Sequence, residues 1–210
     1  MSLLHVVPVF ALTALVLAMV PGQGMAMVLR QTLTGGARCA TWSVVGNASG
    51  LVVWGVASSV GLSQVFAHSP LAYNILKYAG VAYLGYLSLS TLVSLRQRGG
   101  AFDTNGQAAT RPIAAYRLGL VTNLTNVKAA VFAVAFIPQF VPRSFPLGAG
   151  IVVLALVQSL VSLGWYSALV ASVDRAATAL SRPGVRRVLT GISAIGLLTL
   201  AVVLLFSSPR

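Results

Sequence analysis

Six apolar blocks fill most of this chain, at about 3–20 with a short continuation at 25–29, then 39–62, 70–95, 117–141, 146–172 and 188–206. Crossing a bilayer takes about 20 consecutive apolar residues. No water is present in the hydrocarbon layer, so every backbone polar group must be bonded within the element, and apolar spans of this length form helices. Mean hydropathy is +0.89, and 8% of the residues are charged, against roughly a quarter in a soluble domain. The expected fold class is an all-α integral membrane protein. The first block has no basic stretch before it, and Pro21-Gly22-Gln23-Gly24 is not a small-x-small cleavage site, so it reads as a span rather than a signal peptide.

The net charge of +12 would suggest nucleic acid in a soluble protein. Here the charge is sorted by side. Arg30 and Arg38 fall between the first two blocks, Arg96, Arg98, Arg111 and Arg117 between the third and fourth, and Arg175, Arg182, Arg186 and Arg187 between the fifth and sixth; these are ten of the 14 Lys and Arg residues. The other side has Arg143, Arg210 and Lys77, the last reading as a lysine that snorkels to the interface. By the positive-inside rule the odd-numbered loops are cytoplasmic and both termini lie outside. The charge is thus a topology signal, and no nucleic-acid partner is expected.

The one obvious linker is Arg96–Pro112, polar and without hydrophobic periodicity, read as a flexible loop. It divides the chain into a first repeat at 1–95, the linker at 96–112 and a second repeat at 113–210. Three spans per half force the second half to insert upside down, which is the plan of two inverted three-helix repeats. Such repeats carry matching irregularities. The first span contains Val20-Pro21-Gly22-Gln23-Gly24, where proline removes a backbone donor and glycine weakens a helix. This is either a broken helix or a loop after a short one. The fourth span contains Thr122-Asn123-Leu124-Thr125-Asn126-Val127-Lys128, rich in residues that bond to backbone.

On the second span, Ser43, Asn47, Gly50, Trp54 and Ser58 share one helical face, and Gly46 and Gly50 form a GxxxG pair that lets another helix approach. Such a face glues helices together or lines a cavity. Tyr83, Tyr86 and Ser90 make a similar stripe on the third span, and Gln158, Ser162 and Trp165 on the fifth. The sixth span has only small polar residues and reads as scaffold. Small-residue faces permit a homodimer without requiring one.

Enzyme chemistry is hard to build from this chain. His5 lies near the N-terminus and His68 is expected in a short outer loop, Asp103 and Asp174 lie in or beside loops, and Cys39 is the only cysteine. There is no HExxH, no GxSxG and no carboxylate pair. No cofactor and no metal site is expected. What the chain does have is a lysine in a span. Lys128 has no intramembrane acid to neutralise it, and an ionisable group at membrane depth is a functional hypothesis by default. Either it meets an anionic group such as a carboxylate, or it snorkels to the headgroups. The choice depends on where the span starts. From Arg117, Lys128 is roughly 16 Å in at 1.5 Å per residue; from Asn126 it is at the surface.

The stretch Asn123–Val141, NLTNVKAAVFAVAFIPQFV, resembles the Asn-Leu-x-Asn-Pro-Lys segment, apolar run and Pro-Gln-Phe of the LysE/RhtB family of bacterial amino-acid exporters. LKYAGVAYLGYLSLSTL from Leu76 and VPGQGMAMVLRQTLTGGARCA from Val20 are similar to two further segments of that family, in the same order, and the likeness covers nearly the whole chain. Gln23 and Val127 stand where the family has prolines, and both restore a backbone donor and soften the expected breaks.

The resemblance implies a multi-pass protein of the bacterial inner membrane that exports small amino acids or their derivatives by secondary transport, with proton antiport. Lys128 is then a candidate titrating group. Its lack of an acid partner suits a neutral amino acid or a related small carboxylate better than a cationic one. The expected substrate site draws on Pro21, Gly22, Gln23, Gly24, Asn47, Tyr83, Asn123, Asn126, Lys128 and Gln158. The alternative is a non-transporting membrane subunit or regulator with the same fold.

Overall fold

A computed structural model describes residues 3–20, 22–68, 70–94, 109–172 and 183–206. Its elements are α1 Leu3–Met19, α2 Gln23–His68, α3 Pro70–Ser94, α4 Pro112–Leu124, α5 Val127–Phe140, α6 Leu147–Ala171 and α7 Pro183–Phe206. Among the described residues there is no strand. By length and composition Gln23–Gly61 and Leu147–Ala171 can cross a membrane, and α4 with α5, bent by 58°, make a third span if taken as one.

Helix α2 is not one straight rod. Gly36 has φ 79° and ψ 162°, a left-handed conformation that glycine alone adopts without strain. A straight helix would hold Gly24 and Asn47 roughly 34 Å apart, yet a Cβ on Gly24 would sit 3.5 Å from Asn47 Nδ2. The chain therefore doubles back at Gly36 into two antiparallel arms, 23–35 and 37–68. Met25, Val28, Ala40 and Val44 are buried together with Tyr166 and Val170 of α6. This corrects the expected layout. The helix after the first break runs well beyond 25–29, and Arg30 and Arg38 stand on helix instead of forming a loop.

The second arm of α2 packs on α4 through glycines. A Cβ on Gly46 would come within 2.0 Å of Tyr116 O, and one on Gly119 within 1.9 Å of Ser43 O. The GxxxG pair is thus used inside the chain, where it brings Gly50 against Asn123. Gln31 ties the hairpin to the start of α4: Ala109 N–H donates to Gln31 Oε1 at 3.1 Å, and Gln31 Nε2 donates to Ala109 O. The end of the expected flexible linker is therefore held, and 96–108 lie outside the described residues.

Helix α5 widens over Phe132–Phe136, where the Ile137 N–H reaches back five residues to Phe132 O. The cause is Pro138, which has no N–H and would crowd the turn before it. That leaves Ala133 O without its usual donor, and Ser58 Oγ from α2 supplies one at 2.9 Å. Phe132, Phe136 and Phe140 pack in series with Phe10 of α1, at centroid distances of 4.8 to 6.1 Å. α3 pairs with α7, and Ser88 Oγ donates to Ala194 O across that contact at 2.8 Å.

Candidate functional site

Two helix breaks lie side by side in the middle of the bundle. The first separates α1 from α2. The last bond of α1 is Val20 N–H to Val16 O at 3.2 Å, and the first of α2 is Ala26 N–H to Gly22 O at 2.9 Å. Between them the C-terminal carbonyls of α1 lack intrahelical donors. Leu17 O would take its bond from residue 21, and a proline there has no N–H to give.

The second break separates α4 from α5. Asn126 is extended, with φ −82° and ψ 100°, and its side chain accepts from the Lys128 N–H at 3.1 Å. This is an N-cap, and it starts α5 without a proline. Val127 is the first helical residue, the position at which a proline would remove no helical bond. The break does not depend on a proline at Val127: a bend of 58° is present, and Asn126 caps the helix after it. The first break likewise exists with Gln23 in place of a proline.

Lys128 joins the two. Its Nζ donates to Leu17 O and to Val20 O, each at 3.3 Å. A cation at the C-terminus of α1 meets the negative end of that helix dipole. Lys128 was expected to be unpaired; it is partnered by backbone carbonyls, which leaves one of its three N–H donors over. Its ammonium group is held against the end of α1.

Around Lys128 lies a small cavity of about 30 Å³, lined among others by Leu17, Asn47, Asn123, Asn126, Gln158 and Tyr166. That holds a water or two and is smaller than an amino acid. Its wall has unmatched polar groups. Asn123 Oδ1 and Gln158 Oε1 are buried without a hydrogen-bond partner. Asn47 is 2% exposed and Tyr166 6%. A Cβ on Gly24 would approach Tyr166 Oη to 3.0 Å, so glycine keeps the space open there. Asn123 is positioned through its backbone: its carbonyl accepts from Trp54 Nε1 at 3.3 Å and from the Asn126 N–H at 3.0 Å.

Of the residues expected at a site, Asn47, Asn123, Asn126, Lys128 and Gln158 line this cavity, and Gly22 and Gly24 border it. Gln23 does not; it is exposed and faces a separate groove. Pro21 and the side chain of Tyr83 lie outside the described residues. Tyr86, expected on an inward stripe, is 65% exposed. Tyr166 was missed. Gln158, Ser162 and Tyr166 recur every fourth residue on one face of α6, and that period favours Tyr166 over its neighbour Trp165. Among the described residues no group of three or more His, Cys, Asp or Glu side chains could hold a metal.

The sequence model of the LysE type translocator family matches residues 15–208. An uncharacterized membrane protein of Bacillus subtilis is 28% identical over 205 residues, covering 93% of this chain and 95% of that protein. The homoserine/homoserine lactone efflux protein of Salmonella typhimurium is 34% identical over 138 residues, 65% of each chain. The leucine efflux protein of Salmonella choleraesuis is 28% identical over 164 residues, 76% of this chain and 74% of its own. No solved structure matches the chain.

Proposed function

The chain belongs to the LysE type translocator family, and from that premise we propose that it is a secondary transporter exporting small zwitterionic amino acids or their derivatives across the bacterial inner membrane. The observation that supports this reading is the cavity between the helix breaks, where a lysine ammonium shares one wall with two unpartnered amide oxygens. A zwitterion has the complementary pair of groups. Its carboxylate suits Lys128, and its ammonium suits Asn123 Oδ1 and Gln158 Oε1, whose buried lone pairs otherwise cost about 1–3 kcal/mol each. Tyr166 and Asn47 then face the side chain.

Six spans in two inverted repeats, 1–95 and 113–210, are the architecture we propose, with both termini outside. α1 with the first arm of α2 makes one broken span, α4 with α5 the matching one. At 25 and 24 residues, α3 and α7 are long enough for two more. Since the cavity is smaller than an amino acid, substrate admission requires the halves to move apart, and Lys128 makes two of the hydrogen bonds that join them. Proton antiport is the proposed coupling, with Lys128 as the titrating group, since the chain's two acids, Asp103 and Asp174, lie outside the described helices.

The test is counterflow in proteoliposomes with homoserine, homoserine lactone and leucine. Wild type is expected to carry at least one of them, and Lys128→Ala to lose at least ~10-fold of the rate for the amino acid, the value of one charge-assisted hydrogen bond. Absence of transport across a wider amino-acid panel would sink the exporter reading. Equal rates for the variant would sink the site.

A further inference from the structure

A second space adjoins the Lys128 cavity. It is a groove of about 470 Å³ between the first arm of α2 and the end of α4, lined by Gly22, Gln23, Ala26, Arg30, Thr122 and Thr125 among others. Gly22, Ala26 and Arg30 recur every fourth residue, so they form one stripe of the first arm. The stripe runs roughly 12 Å at 1.5 Å per residue, from the helix break to within two turns of the reversal at Gly36. Arg38 lies just past that reversal, and Arg111 lies two residues after Ala109, which Gln31 binds. The other end touches the cavity, because a Cβ on Gly22 would lie 3.6 Å from Lys128 Nζ.

We infer that this groove is an outer subsite that takes the carboxylate of the same substrate on its way from the basic face to Lys128; the inference rests on the exporter reading. Arg30 is half-buried in the wall, and a guanidinium presents a planar fork of donors matched to a carboxylate. Gln23 and Thr122 line the same groove, and their amide and hydroxyl can donate to the same group. Small residues separate the two cations: Ala26 lies midway along the stripe, and Gly22 places no side chain between groove and cavity. A carboxylate can therefore pass from one cation to the next along a wall where Thr122 and Thr125 lie beside Ala26 and Met27. The outer cation concentrates anionic solutes at the mouth of the path, the role that charge plays in steering toward a cleft.

Sided thiol labelling tests this independently of transport. With the single cysteine replaced, Cys39→Ser, a new cysteine is placed at Thr125→Cys, and at Ala26→Cys as a second variant. Inside-out and right-side-out vesicles are treated with membrane-impermeant methanethiosulfonates of similar size, one anionic and one cationic. Labelling is expected from the cytoplasmic side, about 10-fold faster for the anionic reagent. Arg30→Gln should abolish that preference, Arg30→Lys should keep part of it, and the transported amino acid should slow labelling several-fold. Reaction only with a lipid-soluble maleimide would show a lipid-filled groove and overturn the subsite. An unchanged charge preference in Arg30→Gln would overturn it too. A protein that carries no amino acid yet labels as expected loses the exporter reading and keeps an anion-binding groove. One that transports but labels without charge preference keeps the exporter reading and loses the subsite.

Discussion

At the scale of single residues, Lys128 has two tasks. It satisfies Leu17 O and Val20 O of α1, and it presents its remaining donor to the cavity. The polar residues of the site were legible in the sequence because they are costly in apolar runs: Asn47, Asn123, Asn126, Lys128 and Gln158 all stand out. The partners of Lys128 were not legible. They are backbone carbonyls, and a carbonyl has no letter of its own. Asn126 is the residue whose role is simplest to isolate. Asn126→Ala removes the cap on the Lys128 N–H and should cost about 1 kcal/mol, while Asn126→Asp keeps it. Melting of the purified protein in detergent checks this. If Asn126→Ala melts with wild type, the cap does not hold the break. Tyr166→Phe keeps the ring and removes the hydroxyl. It should shift substrate preference away from hydroxylated side chains. An unchanged preference in counterflow would remove Tyr166 from the substrate site.

Among elements, the closest contact is the crossing of α2 and α4. Its GxxxG half could be read from Gly46 and Gly50, but its partner Gly119 could not, because a lone glycine in a helix has many possible reasons. Gly119→Ala puts a methyl group 1.9 Å from Ser43 O and should destabilise by about 1–3 kcal/mol through forced separation of the helices. Gly61→Ala has nothing within 4 Å and should be neutral or up to about 1 kcal/mol stabilising through helix propensity. Equal melting of the two variants would mean the helices are not in glycine contact. The widened turn of α5 follows from Pro138, which is visible in the sequence, yet its remedy, Ser58, lies 75 residues away. Ser58→Ala should leave Ala133 O buried and unsatisfied, at about 1–3 kcal/mol; a melting point equal to wild type would show that another donor takes over.

For the whole molecule, hydropathy located the helical runs because bilayer thickness fixes their length. It did not show the one-residue reversal at Gly36, since basic residues on both sides of it resembled a loop. The proposed topology makes a sided prediction: tags at both termini should react from outside, and a cysteine at Asp103→Cys only from inside. The opposite sidedness would invert the path without removing the site. The central claim is that Lys128 receives the carboxylate of the transported amino acid. The direct measurement is the affinity of purified wild type and Lys128→Ala for that amino acid and for its amide, which keeps the shape and removes the charge. Wild type should prefer the acid by about 10- to 100-fold, the range for a hydrogen bond to a charged group, and Lys128→Ala should bind acid and amide alike. A variant that still prefers the acid as strongly as wild type would contradict the account, whatever its rate of transport.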